Sequence, residues 1–241
     1  MQKRKAQEIV RQMRQIYNTA AREWDVSRNA PSGIKMKLIR GVKKEMRVLD
    51  LGCGNGLMAG AIMNRGGHYT GVDISGKLIA LCKKRFALYI KTKQAEFVIA
   101  NAVKLPFKNN FFDFAVSIAV MHHIPSADFR LKFLQELYRV LKPGATVKID
   151  NWNLHENWGR KKFKIDEQLK NTPAGHDYGD VYVSWKATRG KDLPRFIHVF
   201  SDRELKDLAR MAGFKKIKIE YFNRAGVKTK NGEAQVLTVV K

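Results

Sequence analysis

The stretch VLDLGCGNG at residues 48–56 decides the fold. A short apolar run bounded by turn residues reads as a buried strand. This one ends in an acid, Asp50, and breaks into a turn with three glycines, Gly52, Gly54 and Gly56. Glycines there let the backbone approach a ligand closely, because no Cβ intervenes. A helix over GLMAGAIMNR follows, then a second apolar strand, HYTGVD, with Asp73 at its tip. Strand, glycine turn, helix and a strand ending in an acid make half of a nucleotide-type binding site. The glycines alternate and do not follow the GxGxxG spacing of dinucleotide enzymes.

Downstream of this motif the rhythm continues. GKLIALCKKRFALYI is an amphipathic helix, AEFVIA a third strand, FFDFAVSI a fourth, and ADFRLKFLQELYRVL a well-patterned helix that LKPG stops. ATVKID is the fifth strand. Strands alternating with helices imply a parallel sheet with right-handed crossovers. SDRELKDLARMAGF reads as a helix with Ser201 at its N-cap and Glu204 completing a capping box. KIKIEYF and QVLTVV close the chain as strands, read as a hairpin at the sheet edge.

Two regions break the alternation. Residues 1–45 read as an N-terminal helical lid, with Ile9, Val10, Met13 and Ile16 near the helical period, a loop ending at Pro31–Gly33 and a second helix at about 34–44. Residues 46–241 form the main domain, with an insert at about 151–200 that carries Trp152, Trp158 and Trp185. A long irregular segment inside a compact domain is usually functional.

The composition excludes several classes. No stretch approaches the roughly 20 apolar residues that a membrane span needs. The basic start MQKRKAQEIVRQMRQIY lacks the apolar core of a secretory signal. Cys53 and Cys82 have neither metal-ligand spacing nor the density of a disulfide scaffold, so no metal and a reducing cytoplasm are expected. The outlier is charge: 46 Lys and Arg against 22 acids, a formal +24. The excess occurs in every third of the chain, so it describes a folded basic surface and not a tail. Attraction to a polyanion follows, and nucleic acid is the commonest one.

The DxGxGxG form of residues 50–56 resembles the class I S-adenosylmethionine-dependent methyltransferases. That resemblance implies a Rossmann-like α/β fold: a seven-stranded, mostly parallel sheet with helices on both faces and an antiparallel C-terminal hairpin. It also implies S-adenosyl-L-methionine as cofactor and S-adenosyl-L-homocysteine as product. Gly52, Gly54 and Gly56 would bring backbone against the cofactor. Asp50 would help bind its ammonium end, directly or through water, and Asp73 would accept from both ribose hydroxyls. Ile74 belongs to the same site. Asn101, where such enzymes more often carry an acid, would accept from the adenine amino group, with Ala102 contributing backbone. Ser117, Ile118 and Ala119 would pass beside the methionine moiety, and Tyr17 would cover the cofactor.

Two longer stretches carry a closer likeness. FFDFAVSIAVMHHIPSADFRLKFLQELYRVLKPG and DVYVSWKATRGKDLPRFIHVFSDRELKDLARMAGF resemble the tRNA wobble-uridine carboxymethyl methyltransferases. These esterify a carboxymethyl group on C5 of the uridine at the first anticodon position. The resemblance implies tRNA as partner and substrate. It makes Arg28 a substrate-site residue and sets Arg195 and His198, with His122 and His123, along the same cleft. Eukaryotic members work with a small zinc-binding activator, a candidate partner here. The chain departs from the family in its final hairpin, where NRAGVKTKNGEAQVLTVV lacks the usual tryptophan. A carboxylate is ionised at neutral pH and needs no general base, so the absence of a catalytic triad suits esterification. The competing readings are a quinone-type small-molecule methyltransferase and a non-catalytic RNA-binding protein on the same scaffold.

Overall fold

The computed structural model describes residues 1–186 and 192–241. The part of the family-like second stretch at 187–191 lies outside the described residues. The apolar runs become strands and the amphipathic ones helices. In chain order these are α1 (Lys3–Thr19), α2 (Ala21–Ser27), α3 (Gly33–Leu38), β1 (Arg47–Leu51), α4 (Ala59–Met63), β2 (His68–Asp73), α5 (Gly76–Arg85), α6 (Ala87–Lys91), β3 (Ala95–Ile99) and β4 (Phe112–Ile118). They continue with α7 (Ala127–Val140), β5 (Leu141–Trp152), α8 (Asn157–Phe163), α9 (Ile165–Lys170), β6 (Asp180–Lys186), β7 (Asp192–His198), α10 (Asp202–Met211), β8 (Lys216–Phe222), β9 (Lys228–Thr229) and β10 (Ala234–Val240).

The main sheet has the order β3-β2-β1-β4-β5-β10-β8-β9. Strands β1 to β5 pair in parallel, and β10 lies antiparallel between β5 and β8. The expected Rossmann-like sheet is therefore present, with the C-terminal hairpin antiparallel. The count is eight, because the two-residue β9 adds to the outer edge. Side chains alternate across the pleat. Leu49, Leu51, Val147 and Ile149 face α7 and α10, in one core with Phe133, Leu137 and Leu205. Val48, Val116 and Val236 face the other way, against Ile34, Leu38 and Ile62.

Three local expectations are corrected. The 151–200 insert is not a loop: it folds as α8, α9 and the antiparallel hairpin β6–β7. It can do so because Val181, Val183, Ile197 and Val199 bury themselves with Leu154 and Ile165 in a small core of their own. LKPG ends α7 but is already part of β5, since Leu141 pairs with Phe112 before a bulge in the ladder. At α10, Ser201 Oγ accepts from the Glu204 N–H as expected, at 3.1 Å. Glu204's carboxylate does not complete the box, because His198 takes it. Among the described residues no helix is long and apolar enough to cross a membrane.

Candidate active site

The β1 and β2 tips open onto a cleft with about 830 Å³ of open space, mouth included. Its floor is the glycine turn. Gly52 sits at φ +81, and a Cβ there would lie 2.1 Å from the Val120 side chain, so no other residue fits. The turn is fixed by Gly52 and Cys53 N–H groups donating to the Val72 carbonyl, at 2.7 and 2.9 Å. Asp73 lines the cleft. One of its oxygens accepts from Gly54 N–H at 2.9 Å and the other from Ser75 N–H at 2.8 Å. Burial raises its pKa and those backbone bonds oppose the rise. Each oxygen keeps a further lone pair, so the carboxylate can accept from two more donors.

Tyr17, Gly52, Gly54, Asp73, Ile74, Asn101 and Ala102 all line this cleft, as do Ile118 and Ala119. Asn101's carbonyl already accepts from Val103 N–H at 3.2 Å and retains one acceptor position. Three expected cofactor residues lie elsewhere. Ser117 is fully buried and donates to the Leu51 carbonyl at 2.9 Å, because it faces away from the cleft on β4. Gly56 packs against Cys82 and Phe86. Asp50 is 2% exposed beneath the turn and accepts from Tyr69 Oη at 2.8 Å. Burial pushes Asp50's pKa up to about 7 despite that bond.

The N-terminal segment forms the roof, through Val10, Met13, Tyr17 and Trp24. Asn55, inside the glycine motif and 2% exposed, holds it down. Its amide donates to Asp25 Oδ1 and to the Arg28 carbonyl, both at 2.9 Å. Arg85 clamps Asp25 from α5 at 2.7 Å. Asn18 adds a second latch, accepting from Ser75 Oγ at 2.8 Å. Sequence reading passed over Asn55 and Trp24; the only available signal was a polar residue among glycines, without a visible partner.

Beyond the β4 and β5 tips the cleft changes character. His123 donates from Nδ1 to the Phe196 carbonyl at 2.7 Å, so its Nε2 is an acceptor and takes the Tyr17 hydroxyl proton at 2.9 Å. Burial, aided by the field of Arg195, drives its pKa down to about 3. His122 is fully buried and accepts the Trp152 N–H on Nδ1 at 3.2 Å. Its Nε2 therefore bears the proton, and it has no partner among the described residues. Burial first, then His123 and Arg195, hold this imidazole neutral. Arg195 is 4% exposed, its guanidinium 4.9 Å from the Trp152 ring centre and 5.7 Å from that of Trp185. It forms no ion pair among the described residues, and its Nε is likewise without an acceptor. Arg28 lies flat on Trp24, 3.4 Å from the ring centre, with Trp185 at 5.9 Å. On the opposite sheet face Asp150 is buried with Oδ1 unpartnered, its pKa pushed up to about 7 by burial while Lys35 pulls it down.

His198 does not belong with these residues. It is 1% exposed, with Nδ1 2.7 Å from Asp180 and Nε2 2.9 Å from Glu204. Burial lowers its pKa, but the two carboxylates raise it above the usual histidine value. Arg130 joins the same buried cluster through Asp177 at 2.9 Å and Glu204 at 3.4 Å. With both ring nitrogens committed, His198 staples the β6–β7 hairpin to α10.

A parallel sheet with this strand order, a glycine turn after β1 and an acid at the β2 tip define the class: the fold is that of the class I S-adenosylmethionine-dependent methyltransferases. Residues 49–149 match the Methyltransf_11 methyltransferase-domain family. Within the class the chain resembles the tRNA wobble-uridine carboxymethyl methyltransferases. It is 42% identical over 105 residues to the Arabidopsis thaliana tRNA (carboxymethyluridine(34)-5-O)-methyltransferase, covering 44% of this chain and 24% of that one. It is 30% identical over 150 residues to the Mus musculus enzyme of that name, 62% of this chain and 21% of the other. The chain thus spans only about a quarter or less of those relatives. The Schizosaccharomyces pombe enzyme of the same name matches at 27% over 218 residues, 83% of this chain and 86% of its own. Among solved structures, a Methanosarcina mazei S-adenosylmethionine-dependent methyltransferase superposes with a TM-score of 0.64 at 27% identity, covering 84% of this chain and 96% of the other.

The cleft fits the cofactor of its class. Asp73 offers two acceptor oxygens, Asn101 one, and Ile74, Ala102 and Val103 give apolar walls for a flat ring.

Proposed function

We propose that this chain methylates the carboxylate of a C5-carboxymethyl-type wobble uridine in tRNA. One observation carries the reading: two buried donors, His122 Nε2–H and Arg195 Nε–H, lack acceptors among the described residues, and both side chains lie against the same indole, Trp152. Unpaired buried donors are costly and rare. A substrate carboxylate would satisfy both, and its anionic oxygens would pair with a guanidinium that has no acid of its own. The +24 charge supports a polyanionic carrier for that carboxylate.

When bound, S-adenosylmethionine supplies an electrophilic methyl group. The protein's own task is then positional. Asp73 and Asn101 would fix the cofactor by its ribose and adenine. Arg195 would orient the carboxylate through its rigid fork, and Arg28, spread on Trp24, would close the cleft from above. No side chain has to remove a proton, since the nucleophile is already an anion. His123, neutral and locked between Tyr17 and Phe196, holds the roof to the β7 strand instead of acting as a base. Residues 1–45 serve as the lid and 46–241 as the catalytic domain, with 151–200 supplying the substrate side. A zinc-binding activator, if one is used, would find an open sheet edge at β3, where Ile99 is 54% exposed. The reading places the protein with its tRNA substrate in the cytoplasm.

The test is direct. Purified protein, labelled S-adenosylmethionine and tRNA bearing 5-carboxymethyluridine are incubated at low salt, and digested nucleosides are analysed by mass spectrometry. The expected product is the methyl ester at the wobble position. Failure to bind or label that tRNA, alone and with a native extract added, would overturn the proposal.

A further inference from the structure

Three of the chain's tryptophans, Trp24, Trp152 and Trp185, are partly buried and stacked against Arg28 or Arg195. Trp158 is different. It stands on α8 with 45% of its surface exposed, an unusual place for so large an apolar ring. Lys162 Nζ lies 4.6 Å from its ring centre and Arg224 Cζ 5.8 Å, while Phe163 braces it edge-on at 5.7 Å. Lys161 and Lys162 on α8, and Lys164 just after it, form no ion pair among the described residues. Arg224 meets Glu233 only at 3.9 Å and in solvent, where such a pair is worth little.

The position of this cluster matters as much as its chemistry. Arg224 belongs to the turn that follows β8, and that turn is tied to the substrate side of the sheet. Its carbonyl accepts from Ile34 N–H at 3.2 Å, at the start of α3, and Lys37 Nζ reaches the Gly226 carbonyl at 3.1 Å. Asn153, just past the end of β5, donates to Asn231 Oδ1 at 2.6 Å and to the Gly232 carbonyl at 2.9 Å. The ring therefore sits where β5 gives way to α8, next to the turn after β8, and does not line the cleft that holds Asp73 and Asn101. An exposed indole flanked by an unpaired lysine and a weakly paired arginine is a pattern that can stack an unpaired base and meet its flanking phosphates.

We propose that Trp158, with Lys162 and Arg224, is a stacking platform for a single-stranded nucleotide next to the target uridine. The inference rests on the RNA reading of the cleft and adds where the rest of the anticodon loop is held. Base–aromatic stacking sets the expected scale: W158A should weaken binding of an anticodon stem-loop RNA by about 10-fold, and W158F should restore most of it. A K161A/K162A double variant should flatten the dependence of log affinity on log salt by about one unit. All variants should keep wild-type thermal midpoints and S-adenosylhomocysteine affinity, since none of these residues touches the cofactor cleft.

The probe is a fluorescent anticodon stem-loop, titrated with wild type, W158A, W158F and K161A/K162A across a salt series. Loss in W158A with rescue in W158F supports the platform. Wild-type RNA binding that W158A leaves intact overturns the platform and spares the tRNA reading. A wild type that binds no RNA at all overturns both.

Discussion

The two ends of the cleft are built in opposite ways. The cofactor end is made of backbone: Gly52, Gly54 and Ser75 amides and the Asp73 carboxylate, all within residues 52–75. The substrate end is made of side chains from four separate places: Arg28 after α2, His122 after β4, Trp152 on β5 and Arg195 on β7. At the first end nearly every polar group has its partner. At the second, His122 Nε2 and Arg195 Nε wait for one. On the proposed function, the contrast means that cofactor binding is satisfied locally, whereas substrate recognition is stored as unmet hydrogen-bonding capacity.

The contrast can be broken or sharpened by mutation. The largest effect is expected from R195A, which removes the unpaired guanidinium. Turnover on carboxymethyluridine tRNA should fall by about 100-fold, the scale of a charge-assisted pair, with cofactor affinity within about two-fold of wild type. A matched loss of S-adenosylhomocysteine binding by calorimetry would erase the division between the two ends. D73N should do the reverse, weakening the cofactor by roughly 10-fold and leaving RNA affinity unchanged. N55A tests the strap between them. Freed from Asn55, the segment around Asp25 and Arg28 should be cut sooner in limited proteolysis and the cofactor KM should rise by about three-fold, from the loss of hydrogen bonds near 1 kcal/mol each.

The smallest effect concerns stability. Asp150 has a folded pKa of about 7, above its unfolded value, so its ionisation opposes folding as pH rises from about 4 through 7. D150N should therefore gain on wild type in unfolding free energy at pH 8, by about 1 kcal/mol or more, and the gain should shrink toward pH 4. A pH-independent difference would mean that Asp150 is satisfied by a neighbour. His123 titrates the other way. Its folded pKa near 3 lies below the unfolded value, so its share of stability is present above about pH 6.5 and is lost as pH falls toward 3.

How much of this was legible beforehand follows the same division. The β1–turn–β2 unit was readable because a period-2 apolar run, glycines at fixed spacing and a terminal acid are each local signals. The His198 assignment failed because a histidine in RFIHVF carries no mark of what stands opposite. Only the fold brought Asp180, Glu204 and Arg130 around it and turned a candidate substrate residue into a staple. Ser117 failed for a smaller reason: strand alternation faced its hydroxyl toward Leu51 and away from the cleft. The capping box at Ser201 was half right, since the same Glu204 was drawn off by His198.

By itself the sequence determined the sheet, the glycine turn and the acid at the β2 tip that lines the cleft, because those depend on backbone conformation and on residues near one another in the chain. The tertiary structure alone decided which polar groups remain without partners. That property depends on what packs within 3–4 Å from distant segments, and hydrogen bonds fall away so steeply with distance that no one-dimensional pattern records them. His122 and Arg195 became candidate recognition groups only because no described residue meets them.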